Sequence, residues 1–139
     1  MEKESQKGFI AMALDMAGFI KDDIELALRS YDFITSKVTT MDHMFTYVGY
    51  SSTTFTLNLG NKFNTSNVKN FSYMFKNVGY ANPNLELDLS SFDFSSATRS
   101  EKMFKNMRST NKIWVKDSTD QAWVIARNSN FSTSNVLIK

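Results

Sequence analysis

The sequence predicts an α/β solenoid with a short parallel sheet. The first observation is an internal repeat, because residues 63–89 have the same layout as residues 33–59, and a weaker third copy starts at Phe92. The second observation is that two hydrophobic periodicities alternate within each copy. The third is a different sequence pattern at the C-terminal end. Repeats of about 20 to 50 residues are typical of solenoids, in which each unit buries its apolar face against its neighbours.

Composition agrees with one folded domain. The chain has 139 residues, of which 42% are hydrophobic and 14% are aromatic, so a packed core can form. The absence of cysteine excludes a disulfide framework and thiolate metal sites. The formal net charge of +2 is too small to indicate nucleic-acid binding by the chain as a whole.

Residues 1–32 form a separate predicted element. Apolar residues at three- and four-residue spacing indicate two short amphipathic helices, at 5–19 and 23–31. Asp15 interrupts the apolar run, so we expect neither a signal peptide nor a membrane span here. The helices are interpreted as a cap on the solenoid. The alternatives are an oligomerisation helix pair, which would give a homo-oligomer, and a membrane-surface element.

Within each repeat, a short helix is predicted to precede a strand. Segments 41–45, 71–75 and 103–107 pair apolar residues at three- and four-residue spacing, which favours helices. Segments 55–59 and 85–89 alternate strictly between apolar and polar residues, which predicts half-buried strands. Crossovers of this length require parallel strands, joined in the right-handed sense.

The C-terminal residues depart from the repeat and predict a capping unit. A strand at 113–115 is followed by a capped helix at 118–125 with Trp123 facing inward, and then by a last strand at 136–138. A final repeat has no successor to cover it, so an atypical unit is expected there. Residues 33–139 are therefore predicted to form one compact unit.

The repeat also resembles a known family. The run Phe63-Asn-Thr-Ser-Asn-Val-Lys-Asn-Phe-Ser-Tyr-Met-Phe, followed by Leu87-Asp-Leu-Ser-Ser-Phe-Asp, is similar to the repeat of the BspA-type leucine-rich-repeat surface proteins of bacteria. The resemblance covers about residues 33–139. It implies a leucine-rich-repeat-like, right-handed solenoid and a non-enzymatic role in adhesion or host contact at the cell surface, or after secretion.

No catalytic or metal-binding pattern is predicted. His43 is the sole histidine and is interpreted as a surface residue rather than as part of a catalytic triad. Asp88 and Asp93 lack the further oxygen ligands of a calcium loop and are interpreted as turn residues. We therefore expect no enzyme activity, no cofactor, no metal and no small-molecule substrate.

Two candidate partner-binding surfaces are predicted. The first is a basic face on the predicted third helix, which suits an acidic protein, teichoic acid or nucleic acid unless it is ordinary solvated surface. It comprises Arg99, Lys102, Lys105 and Arg108. The second is the outer side of the predicted strands, because polar residues there alternate with apolar ones. It comprises Thr56, Asn58, Glu86 and Asp88.

Two functions are compatible with these patterns. The leading hypothesis is a non-enzymatic, adhesin-like surface module that contacts a protein or an anionic polymer. The alternative is a structural or assembly subunit of a phage or mobile-element particle that uses the helices of residues 1–32. The first hypothesis predicts location at the cell surface or outside the cell, whereas the second predicts a virion or cytoplasmic protein.

Overall fold

A computed structural model describes residues 35–55, 57, 59 and 63–139. The predicted helices of residues 1–32 and the predicted binding residues Thr56 and Asn58 lie outside this part of the chain. The regular elements, in chain order, are strand β1 (Glu86–Asp88), strand β2 (Lys112–Val115), helix α1 (Ser118–Ile125) and strand β3 (Val136–Ile138).

The three strands form a parallel sheet in the order β1-β2-β3. Leu87 pairs with Ile113, and Ile113 pairs with Val136, so one buried apolar row crosses the sheet. Leu57 makes a parallel bridge to Leu87 from the preceding repeat. The predicted parallel strands at 85–89, 113–115 and 136–138 are thereby confirmed.

The predicted helices at 41–45, 71–75 and 103–107 are wrong. The chain there makes consecutive turns, over 42–51, 72–81 and 101–106. The three- and four-residue spacing of the apolar residues fits this winding as well as it fits a helix.

Hydrogen bonds between repeats explain the turns. The amide of Phe45 donates to the carbonyl of Met74 at 2.9 Å, while the amide of Met44 closes a turn on Met41 at 3.2 Å. Alternate amides thus bond to the next repeat and leave too few donors for an i to i−4 helical ladder. One repeat further on, the amide of Phe75 donates to the carbonyl of Met103 at 2.8 Å.

The turns depend on left-handed backbone at equivalent positions of each repeat. Most of these residues are not glycine, although a left-handed conformation costs a residue with a Cβ atom about 1–2 kcal/mol. The inter-repeat hydrogen bonds offset this cost. The positions are His43, Tyr73 and Lys102; Tyr47, Asn77 and Asn106; and Gly49 and Gly79.

The core between the turns and the sheet is a stack of phenylalanine rings. Phe75 lies between Phe45 and Phe104, with ring centroids 5.5 Å and 5.8 Å away and nearly parallel planes. Phe63 stacks on Phe92 in the same manner, at 5.6 Å. Equivalent residues of successive repeats therefore bury one another, which is how a repeat protein gains its stability.

Buried asparagines also connect successive units. Asn111 donates through Nδ2 to the carbonyl of Asn82 at 3.3 Å, and its Oδ1 accepts from the amide of Arg108 at 2.7 Å. Asn135 repeats the arrangement by donating to the carbonyl of Asn111 at 3.1 Å. Among the described residues, every buried side-chain nitrogen or oxygen has a hydrogen-bond partner. The right-handed solenoid stays a prediction, and these contacts between units support it.

Helix α1 closes the C-terminal unit, as the sequence predicts. Its N-cap is Asp117, whose carboxylate accepts from the amide of Asp120 at 2.8 Å. Trp123 faces inward and stacks on Phe94 at 4.1 Å, and the guanidinium of Arg127 covers it at 3.4 Å. Burial lowers the pKa of Arg127.

Candidate functional site

Exposed and half-exposed side chains of the turns, together with Arg108, form a connected group of aromatic rings and cations. We call this surface the turn face. Each of its side chains makes a ring–ring or cation–ring contact with at least one other side chain of the surface. It consists of His43, Tyr47, Tyr50, Tyr73, Lys76, Tyr80, Lys102 and Arg108.

The rings of the turn face stack from one repeat to the next. His43 lies on Tyr73 with centroids 4.5 Å apart, and Tyr50 lies on Tyr80 at 5.0 Å, each pair with an interplanar angle of 10°. Tyr47 leans on Tyr50 at 5.4 Å. Tyr47, Tyr50 and Tyr80 remain 51%, 40% and 40% exposed. The backbone ladder between repeats therefore sets the spacing of an exposed aromatic row.

Cations rest on these rings. Lys76 Nζ is 5.6 Å from the ring centroid of Tyr47 and 5.7 Å from that of Tyr73, and Lys102 Nζ is 6.0 Å from Tyr73. Arg108 lies 5.0 Å from the ring of Tyr80, and its Nη2 donates to the carbonyl of Tyr80 at 2.6 Å. A cation over an aromatic ring is held by the negative ring face, so these charges keep defined positions.

Two carboxylates border the turn face, and both have local partners. Glu101 accepts a hydrogen bond from Ser72 and lies 3.4 Å from Arg99 Nε; the hydrogen bond from Ser72 is the main cause that lowers the pKa of Glu101. Asp42 accepts from Thr40 at 2.6 Å and lies 3.2 Å from His43 Nδ1. The face therefore keeps an excess of cations.

The four predicted basic residues do not share a helix face, because no helix forms there. Lys102 and Arg108 belong to the turn face through their tyrosine contacts. Arg99 pairs with Glu101 instead, and Lys105 is exposed within the third turn segment.

Sequence reasoning did not single out the tyrosines as a surface. A signal for them was available, because the alignment of repeats places Tyr50 on Tyr80, in the Gly-Tyr pairs near the ends of the first two turn segments. The glycines of these pairs, Gly49 and Gly79, adopt positive φ.

The outer side of the sheet carries Glu86 and Asp88 as predicted, and both are exposed. Glu86 accepts from the indole nitrogen of Trp114 at 3.1 Å, and Asp88 accepts from Lys139 Nζ at 2.5 Å. Partial burial acts to raise the pKa of Asp88, but hydrogen bonds from Lys139 and Ser90 outweigh it and lower the pKa. Both carboxylates of this surface are thus already paired.

No group of three or more acidic or histidine side chains within the described ranges is placed to hold a metal ion. The side chain of His43 is 56% exposed and stacked on a tyrosine ring. Within residues 35–55, 57, 59 and 63–139, no helix is long and apolar enough to cross a membrane.

Comparison with known protein families gives a match to one family. The model of a family described as "Mycoplasma protein of unknown function, DUF285" matches residues 13–137 of the 139-residue chain. Comparisons with curated proteins and with solved structures give no match. Because the family model spans the repeats and the C-terminal unit, the chain belongs to the DUF285 family.

Proposed function

We propose that this protein is a non-enzymatic binding module that contacts another macromolecule through the turn face. The observation that carries the proposal is the row of half-exposed tyrosines, Tyr47, Tyr50 and Tyr80, with Lys76 and Arg108 held against the rings. Tyrosine and arginine are enriched where proteins bind other macromolecules, because they combine a large contact area with hydrogen-bonding groups.

The way the turn face is built supports binding rather than catalysis. Its side chains are held by stacking and by the backbone ladder between repeats, so little side-chain entropy is lost when a partner binds. An extended surface of this kind can contact a large partner at many points. We also propose that the protein has no enzyme activity, because catalysis needs reacting groups that converge on one point and this surface is extended.

Family membership supports a location at the surface of a bacterium. The DUF285 match covers the repeats that resemble those of BspA-type surface proteins. We therefore extend the proposal to a cell-surface or secreted protein with an adhesin-like role. The alternative of a particle subunit depends on residues 1–32, which lie outside the described part of the chain.

The test is binding of the full chain to a panel of immobilised macromolecules. The panel contains extracellular proteins, sulfated and non-sulfated polysaccharides, and DNA. The turn-face variant is Lys76→Glu with Lys102→Glu, which reverses the two charges beside Tyr73. The matched control is Lys112→Glu with Lys139→Glu, on the sheet side.

The proposal requires at least one panel member to bind the parent and the control but not the turn-face variant. Circular dichroism and thermal melting verify that both variants fold. If every interaction survives in the folded turn-face variant, or if the parent binds nothing on the panel, the turn face is not a binding surface for these macromolecules and the proposal is wrong.

A further inference from the structure

Resting on the proposed function, we infer that the turn face binds a sulfated polysaccharide. The first step is that the faces of two central rings are already covered. Tyr80 has Tyr50 of the first repeat at 5.0 Å and Arg108 of the third repeat at 5.0 Å. Tyr73 likewise has His43 at 4.5 Å and Lys102 at 6.0 Å.

These neighbours lie on opposite sides of the second repeat. His43 bonds by its amide to the carbonyl of Ser72, and Tyr73 bonds by its amide to the carbonyl of Glu101, both at 2.9 Å. The second repeat is therefore between the first and the third. It follows that Tyr73 and Tyr80 present their edges and hydroxyl groups to solvent, and not their faces.

Covered ring faces argue against two kinds of partner. Unpaired nucleic-acid bases bind by stacking on free aromatic faces, which this surface offers at neither Tyr73 nor Tyr80. A protein partner gains most from a tyrosine that enters a pocket, and a ring enclosed by neighbours on both faces cannot do so. At these two rings, the ligand is instead recognised through hydrogen bonds and charge.

The groups available for that recognition are of two types. The phenol oxygens of Tyr47, Tyr50 and Tyr80 make no hydrogen bond to any described residue, so they are available as donors and acceptors. Beside them are the ammonium group of Lys76 and the guanidinium group of Arg108. These groups suit a ligand that carries both anionic groups and neutral hydroxyls along an extended chain.

A sulfated polysaccharide has this combination. Its sulfates stay ionised at all physiological pH values and form charge-assisted hydrogen bonds with ammonium and guanidinium groups. Its sugar hydroxyls can exchange hydrogen bonds with the phenol groups between the cations. Of the two carboxylates at the border, Glu101 lies 3.4 Å from Arg99 Nε, whose positive charge reduces the repulsion between Glu101 and an anionic ligand.

The experiment measures binding of the full chain to heparin oligosaccharides of defined length, across a range of salt concentrations. Chemically desulfated heparin and single-stranded DNA of similar charge serve as comparison ligands. The test variant is Lys76→Gln with Lys102→Gln, and the matched control is Lys112→Gln with Lys139→Gln. Tyr80→Phe removes one phenol group and keeps the ring in its stack.

We expect the test variant to bind heparin about thirtyfold more weakly than the parent, since each of the two lost cations contributes about fivefold near an anionic surface. The control variant should bind like the parent, and Tyr80→Phe should bind a few times more weakly. The logarithm of the parent affinity should fall linearly with the logarithm of the salt concentration.

Equal losses in the test and control variants, equal binding of desulfated heparin, or tighter binding of DNA than of heparin would each overturn the inference. Its failure is separable from that of the proposed function. If another panel member binds and loses affinity in the turn-face variant, the turn face remains a binding surface and only the sulfated polysaccharide is excluded. If nothing depends on the turn face, both fail.

Discussion

The turn side and the sheet side of the repeats both hydrogen-bond the backbone of one repeat to that of the next, but they do so with different backbone conformations. On the sheet side, β1, β2 and β3 pair as extended parallel strands with Leu87 and Ile113 in register. On the turn side, amides such as those of Phe45 and Phe75 also bond to the next repeat, but tight turns separate them. Both sides therefore leave few backbone groups unpaired between repeats, while only one uses regular secondary structure.

The difference affects what each side can present to a partner. Pairing of extended strands places the side chains of Glu86, Asp88, Trp114 and Lys139 next to one another, where opposite charges and hydrogen bonds satisfy each other. The turns instead place like residues above like residues, so tyrosines stack and cations collect on their rings. The turn side is thus the better candidate for contact with an external ligand.

The largest expected effect is a loss of stability when a core side chain is truncated, on the turn side at Phe75 or on the sheet side at Leu87. Phe75→Ala should lower the free energy of unfolding by about 3–5 kcal/mol, and Leu87→Ala by about 2–5 kcal/mol. Both side chains are fully buried, but Phe75 also loses stacking against Phe45 and Phe104. Denaturant unfolding of both variants, with the exposed change Lys112→Ala as a control, measures the difference. A loss below about 1 kcal/mol for Phe75→Ala would mean that the repeat register is wrong.

The next largest effect is the loss of stability when alanine replaces either of two equivalent glycines with left-handed backbone. Gly49→Ala and Gly79→Ala each force a Cβ atom into positive φ, at a cost of about 1–2 kcal/mol. The added Cβ at Gly49 would lie 2.1 Å from the ring of Phe55, whereas that at Gly79 would lie 2.9 Å from the movable Cδ2 of Leu85. Thermal melting should therefore rank Gly49→Ala as the more damaging change. The reverse order would contradict the packing described for the first repeat.

A smaller difference in stability is expected when glycine replaces each of two exposed lysines of the third turn. Lys102 has a φ of 53°, while Lys105 lies outside the left-handed region. Lys102→Gly should leave the free energy of unfolding within about 0.5 kcal/mol of the parent, because relief of the strained backbone offsets the added entropy of the unfolded chain. Lys105→Gly should cost about 0.5–1 kcal/mol. Equal costs would show that Lys102 is not strained.

The smallest effect concerns pH on the sheet side. The pKa of Asp88 is below its ordinary value of 3.8, so its pairing stabilises the fold above that pH and is lost as pH falls through the lowered pKa. The pair with Lys139 is partly exposed and should contribute less than about 1 kcal/mol. Lys139→Gln should therefore be slightly less stable than the parent at about pH 6, and the two should converge near about pH 2. A constant difference across that range would exclude the ion pair as its cause.

The sequence by itself determined the repeat register, the parallel strands and the C-terminal helix. Alternation of apolar and polar residues around Leu87, and the Trp-containing segment 118–125, are signals of regular secondary structure that each segment carries by itself, although β1 forms its hydrogen bonds with β2. Of the four basic residues predicted as one surface, Lys102 and Arg108 do belong to the turn face.

Only the tertiary structure decided the conformation of the turns and the composition of the turn face. The amide of Phe45 finds its acceptor at Met74, almost thirty residues along the chain, so no local pattern distinguishes this winding from a helix. A similar separation in sequence lies between Tyr50 and Tyr80, and between Tyr80 and Arg108. Their contacts exist because stacking brings equivalent positions of successive repeats to within one strand spacing, which is a property of the assembled repeats and not of any one segment.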